Sequence, residues 1–210
     1  MTTFEHAMLG INGAMAAGLH HRHNWKIAAM AGVAAASPDW DGLVIIFSQS
    51  AFAEGHRLWG HNVLACILLG LVIGVFDYRF DLVTRCGRML LKWFRFYVED
   101  VRLALRFEFN SRELWTWILV ASVAALSQLP VDMVISGTAT LGDWELRPFW
   151  PFSNESWVFP MVRWGDTGIT LIFVAGMFAM ARWRSRLQLI AGITLASVVL
   201  YIVFRGVLAT

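Results

Sequence analysis

Apolar runs recur along the chain, each closed by a short polar or charged break, and their lengths sort them into two kinds. The run Leu58 to Phe76, uncharged from Val63 onward, is close to the ~20 residues that carry a helix across a bilayer core. Leu114 to about Ile135 is another, with Gln128, Pro130 and Asp132 near its far end. Ile169–Ala181 and Leu189–Phe204 follow, separated by Arg182-Trp183-Arg184-Ser185-Arg186. The two N-terminal runs, Ala7–Leu19 and Ile27–Ala36, are shorter and rich in Gly and Ala, with His20-His21-Arg22-His23-Asn24 between them. Small residues let helices approach closely, so these runs predict a packed hairpin in preference to a re-entrant pair. After the break at Pro38, Leu43 to Ala53 predicts a short helix at the interface. The pattern as a whole predicts an all-α polytopic bundle of about six membrane helices.

Composition agrees with a membrane chain. Hydrophobic residues make up 58% of the 210, against roughly 45–50% in soluble domains, and mean hydropathy is +0.58. No linker, charge block or repeat divides the sequence, so residues 1–210 read as a single integral membrane domain. Cys66 lies in an apolar run and Cys86 in a basic one, which argues against a mutual disulfide. Residues 1–6 lack the positive n-region of a signal peptide, so the N-terminus is expected to be retained.

The net charge of +2 says less than its distribution. Residues 79–112 hold Arg79, Arg85, Arg88, Lys92, Arg95, Arg102, Arg106 and Arg112. At ~100° per residue most of these fall on one side, opposite Val83, Cys86, Leu90, Trp93, Tyr97 and Val101. That predicts a basic amphipathic helix on an anionic membrane surface, or a hairpin packed on the bundle. Placing this segment inside by the charge rule also places Arg22, Lys26 and Arg182–Arg186 inside. The other face then collects His6, Asp39, Asp41, His56, His61, Asp132 and the aromatic segment 136–168, and it should be extracytoplasmic.

Those residues carry the candidate chemistry. Asp39-x-Asp41 lies between Pro38 and Gly42, which set a turn able to aim two carboxylates at one cation or simply to cap a helix. His56-Arg57-x-x-x-His61 follows; a continuous helix would separate the two rings by about 140°, so His56 must precede the helix or sit in an irregular first turn. Imidazole with carboxylate suits Zn²⁺, Mn²⁺ or Fe²⁺ better than the all-oxygen shell of Ca²⁺, with Zn²⁺ the leading choice. Gln128 and Asp132 stand four apart on one helix face. Arg57 is read either as a ligand for an anionic group such as a phosphate or as a snorkelling surface arginine. His20, His21 and His23 read as solvated loop residues on the inner face.

At these positions the chain resembles a bacterial and archaeal family of LexA-binding, inner-membrane-associated, metal-dependent hydrolases. The resemblance rests on Glu5-His6, Pro38-Asp39-x-Asp41, Gly55-His56-Arg57-x-x-x-His61, a helix ending in Asp132, and Trp150-Pro151-Phe152-Ser153, together spanning about the first 150 residues. It implies His6, Asp39, Asp41, His56, His61 and Asp132 as the metal and catalytic set; the reading of the residues themselves takes Asp39, Asp41, Arg57 and Gln128 as the catalytic candidates. Gln128 stands where the family has histidine, so the site would lose one ligand, change metal or use Gln128 to hold a water or substrate. The expected function is hydrolysis of a lipid-linked or phosphate ester by metal-activated water at the outer face of the inner membrane. Trp144, Trp150, Trp157 and Trp164 would sit at headgroup level. Membrane lipids are the expected partners, with a lipid phosphate as substrate and no nucleic acid. The alternative is a non-enzymatic membrane protein with a structural metal and a basic helix that binds a partner or lipid. Transport is disfavoured, because the charges gather at one face and no span carries an acidic or histidine relay.

Overall fold

The computed structural model describes residues 1–48, 57–95, 109–137 and 144–209, and among these every extended regular element is helical. Helix α1 covers Thr3–Ala16, α2 Leu19–Ala36, α3 Val63–Phe80, α4 Leu82–Trp93, α5 Ser111–Leu126, α6 Gln128–Val134, α7 Thr167–Arg182 and α8 Leu187–Ala209. A run of 3-10 turns spans Ser37–Ile46 and a shorter one Arg184–Arg186.

Three stretches are long and apolar enough to cross a membrane: Val63–Phe80, Ser111–Val134 and Arg184–Leu208. Thr167–Arg182 is a shorter apolar helix. By length and composition the described residues supply three such spans, fewer than the about six membrane helices expected from the sequence. α1 has only 14 residues, and α2 is interrupted at Asn24, whose φ of 65° is left-handed. What these two lack in length they make up in burial, since one face of α2 (Ile27, Ala28, Met30, Ala31, Ala34, Ala35) is wholly enclosed by the bundle. The histidines expected in a loop belong instead to the first turns of α2, ahead of that interruption.

Close helix approach explains the small residues. A Cβ on Gly10 would lie 2.3 Å from the Ala31 carbonyl oxygen, so α1 meets α2 backbone to backbone. Gly70 and Gly74, one turn apart on α3, do the same against Ser122 and Ile118 of α5. α1 also packs on α8, and α7 on α8.

The helices start where their capping chemistry allows. Thr2 and Glu5 form a reciprocal capping box at the head of α1. Asn62, Asn110 and Asp166 cap α3, α5 and α7 with their side chains. The amphipathic helix expected over 79–112 is not one element in its described part: Arg79 ends α3, Asp81 turns the chain in a left-handed conformation, and α4 follows. Lys26 pairs with Asp81 and ties this corner to α2. Of the predicted Leu43–Ala53 helix, the described part is a 3-10 turn ending at Ile46, and 49–53 lie outside the described residues.

Alternating helix directions put the heads of α1, α3 and α7 and the ends of α2, α6 and α8 at one end of the bundle. Arg22, Lys26, Arg85, Arg88, Arg182, Arg184 and Arg186 lie at the other. The 144–166 segment folds over the first end through two isolated bridges, Ile135 with Val162 and Leu146 with Trp157.

Candidate functional site

Four elements meet at the end opposite the basic residues: the first turns of α1, the Pro38 turn, the residues just before α3, and α6. His6, Asp41, His61, Gln128 and Asp132 are all at most 1% exposed there. The side chain of Asp39 retains 14% and is the member of the set that reaches solvent.

Asp41 anchors the arrangement from behind. One of its oxygens, Oδ2, accepts the backbone N–H groups of Arg57 and Gly60, each at 3.1 Å, and stands 3.0 Å from His61 Nδ1. A carboxylate at Nδ1 fixes the proton on that nitrogen and turns Nε2 towards the interior of the cluster. Nε2 then lies 3.3 Å from Asp39 Oδ1 and 3.5 Å from Asp132 Oδ2. From the other side, His6 Nε2 lies 3.3 Å from Asp132 Oδ1 and 4.0 Å from Asp39 Oδ1. Gln128 Nε2 donates to Asp39 Oδ1 at 3.0 Å. The turn geometry behind this is tight: a Cβ on Gly60 would stand 1.9 Å from the Pro38 carbonyl oxygen, so only glycine lets the Pro38 turn press against His61.

Charge sets the protonation of the exposed-end groups. Burial works against a charge on His61, yet the carboxylates of Asp39 and Asp41 overcome it and raise the imidazole to about 9. Burial likewise works to raise Asp39, and His61 and His6 hold it below its usual value. The two carboxylates beside it thus favour the protonated form of His61.

Arg57 is neither on the surface nor aimed outward. Its side chain is 2% exposed and its backbone is left-handed, with φ of 66°. The guanidinium donates to the carbonyls of Asp132, Ile135 and Trp144 at 3.2, 3.2 and 3.0 Å, and to Ser136 Oγ at 3.3 Å. It stands over the Trp144 ring at 5.3 Å and 3.5 Å from Asp132 Oδ1. The snorkelling alternative is thereby overturned: Arg57 caps the carbonyl end of α6 and fastens the 144–166 segment to it.

Sequence reasoning missed several neighbours. The Met1 amino group pairs with Asp132 Oδ1, and the Met1 carbonyl accepts from Trp164 Nε1 at 3.0 Å. Ser136 Oγ accepts from Trp144 N at 2.8 Å. Glu5 accepts from Thr170 Oγ1 at 2.6 Å and so joins α1 to α7. None of these carries a spacing that marks it; all depend on which loops fold over the cluster. His56 lies outside the described residues.

The fit of a cation can be judged from the donors. The His–Asp separations of 3.3 to 4.0 Å bracket the roughly 3.4 Å between two ligands of a tetrahedral ion bound at about 2.1 Å. Both ring nitrogens of His6, Asp132 Oδ2 and Gln128 Oε1 are buried with no hydrogen-bond partner among the described residues, so the cluster holds polar atoms whose hydrogen-bonding capacity is unused. Among the described residues, however, no group of three or more His, Cys, Asp or Glu side chains is already arranged to hold a metal ion. At Asp132 the Met1 amine and the Arg57 guanidinium already supply compensating positive charge. His6, His61, Asp39 and Asp132 bring imidazole and carboxylate donors, the types a transition ion takes, within 3.3 to 4.0 Å of one another. Asp41 sits behind His61, on its Nδ1 side.

No curated protein and no solved structure matches the chain. Its sequence matches the model of the YdjM inner membrane protein family over residues 1–209, and three helices are long and apolar enough to cross a membrane: the protein belongs to that family.

Proposed function

We propose that the chain is a metal-dependent hydrolase of phosphate esters that works at the outer face of the inner membrane. The observation that carries this reading is the placement of His61, tied at Nδ1 to Asp41 and turned by Nε2 towards Asp39 and Asp132, with His6 opposite. Carboxylate, histidine, then a site for a cation is the order in which proteins orient a metal-binding imidazole. His6, His61 and Asp132 would hold the ion, Zn²⁺ before Mn²⁺ or Fe²⁺, with Asp39 beside them. A divalent ion bound there lowers the pKa of a coordinated water towards ~7.

The chain's own groups do the rest. Asp39 is the carboxylate with solvent access, and its Oδ2 takes the proton of the attacking water while Gln128 holds Oδ1. Asp41 keeps the His61 tautomer. Arg57 keeps α6, and with it Asp132, in register with the 144–166 cover. The basic residues at the far end favour an outward-facing site by the charge rule, in a chain that crosses the membrane several times. Trp59, Phe149, Phe152 and Phe159 around the site are exposed, which suits the headgroup zone. Low exposure of the cluster also suits the second reading, a structural ion in a non-enzymatic protein. The two part on one assay. The purified protein with added Zn²⁺ or Mn²⁺ should release p-nitrophenol from p-nitrophenyl phosphate, lose the activity in EDTA, regain it on metal return, and lose it in Asp39→Asn. A rate that Asp39→Asn leaves unchanged would end the catalytic reading and leave the structural one.

A further inference from the structure

We infer that the cleft between α1 and α5 holds a single hydrocarbon chain of a lipid-phase substrate, so that the substrate enters sideways from the bilayer and its phosphate arrives at the cluster. This rests on the hydrolase reading for what happens at the phosphate, and on the cleft for where the chain lies. α1 packs on α2 and α8, and α5 on α3 and α2, which leaves α1 and α5 with little direct contact. Between them runs an apolar groove of about 330 Å³, walled by Leu9 and Gly13 of α1 and by Leu119 and Val123 of α5 with Ser127 just past its end, and with Ala31 of α2 at its floor. Leu119 and Val123 are 64% and 57% exposed, so the groove opens to the hydrocarbon around the bundle.

Its outer end stops within about one helical turn of the cluster along both walls, at Leu9 and at Ser127. His6 shares the α1 face of Leu9, Gly10 and Gly13, one turn above them. Ser127 on the opposite wall directly precedes Gln128, whose side chain holds Asp39. From Leu9 to Ala17 the α1 wall runs about 12 Å, enough for roughly ten extended methylenes. That continuity distinguishes the cleft from the general lipid-facing surface, because a chain lying in it delivers its polar head to the end where His6 and Gln128 have buried polar atoms without hydrogen-bond partners among the described residues. Gly13 keeps the groove clear: a Cβ there meets nothing within 4 Å, so a larger side chain fills the groove and leaves the helix packing alone.

The test uses the full chain in phosphatidylcholine nanodiscs and a hexadecyl phosphate with a photoactivatable diazirine on its chain. Cross-links should concentrate in residues 9–17 and 119–127, and fall at least several-fold in Gly13→Leu and with the matching hexadecanol probe, which lacks the phosphate. Leu119→Trp, from an exposed position on the facing wall, should give the same loss if Gly13→Leu fails to fold. Labelling spread evenly over the lipid-facing helices, or unchanged in both variants, would mean annular lipid only and would overturn the inference. p-Nitrophenyl phosphate has no chain, so its hydrolysis by the wild-type protein tests the cluster separately. Cross-links in the cleft without that hydrolysis sink the hydrolase and keep the chain site; hydrolysis with even labelling does the reverse.

Discussion

Gly60→Ala tests whether the site depends on one backbone contact. The added Cβ would stand 1.9 Å from the Pro38 carbonyl oxygen, and ordinary contact needs roughly 3.2 Å, so the Pro38 turn must retreat by on the order of 1 Å. That retreat stretches the 3.3 Å approach of His61 Nε2 to Asp39 Oδ1 and the 3.1 Å bond from Gly60 N to Asp41 Oδ2 beyond useful range. Overpacking of this kind costs about 1–3 kcal/mol, and the weakened buried bond to a carboxylate adds about 1–2 kcal/mol. Thermal unfolding in detergent should therefore drop on the order of 5–10 °C. Zn²⁺ affinity measured by calorimetry should fall at least about tenfold, the scale seen when a partner that orients a metal ligand is lost. Gly192→Ala is the control, since a Cβ there meets nothing within 4 Å. If Gly60→Ala melted and bound metal like the control, the Pro38 turn would not be what positions Asp39, and the site's assembly would need another explanation.

Three further outcomes follow from the contacts in the cluster. In metal-free protein, His61 should titrate near 9 by histidine NMR, and Asp41→Asn, which keeps an acceptor but removes a charge, should bring it down towards 6.5; an unmoved titration would contradict the pairing. Because the folded value lies above the unfolded ~6.5, the stability from this pairing is complete below pH ~6.5 and is lost as pH rises through about 9. Denaturation midpoints in EDTA should accordingly fall across that window and shift less in Asp41→Asn. Gln128→His adds an imidazole beside Asp39 and one turn from Asp132, and should tighten Zn²⁺ binding about tenfold or more by competition titration; weaker binding would place residue 128 outside reach of the ion.

Much of the architecture could be read from the apolar runs, because a membrane core demands length and low charge and little else. Leu58–Phe76 and Leu114–Ile135 located two long helical stretches, Val63–Phe80 and Ser111–Val134, with ends off by up to five residues, and the gathering of Arg22, Lys26, Arg85, Arg88, Arg182, Arg184 and Arg186 at one end followed from the charge distribution. The N-terminal pair, Ala7–Leu19 and Ile27–Ala36, read as a hairpin packed through small residues, and the enclosed face of α2 and the close contact at Gly10 agree with that reading. The histidines at 20, 21 and 23 looked like a loop, because polarity hides a helix whose break is a single left-handed residue, Asn24. At the site, the convergence of His6, Asp39, His61 and Asp132 was legible from topology. The division of labour was not. Asp39 and Asp41 look alike in sequence, and only the direction of His61 separates the one that faces the cluster from the one behind it. Arg57 showed a cation among histidines; that it serves carbonyls 132, 135 and 144 depends on a fold over the cluster that no local pattern records.

The account stands most directly on the metal content of the purified protein. After exposure to Zn²⁺ and removal of the excess, elemental analysis should find one ion per chain in the wild type, and close to none in His6→Ala and in His61→Ala, because each removes an imidazole from one shared site. Zinc retained at the wild-type level in both variants would mean that these residues do not hold a common ion, and the hydrolase built on them would fall with it.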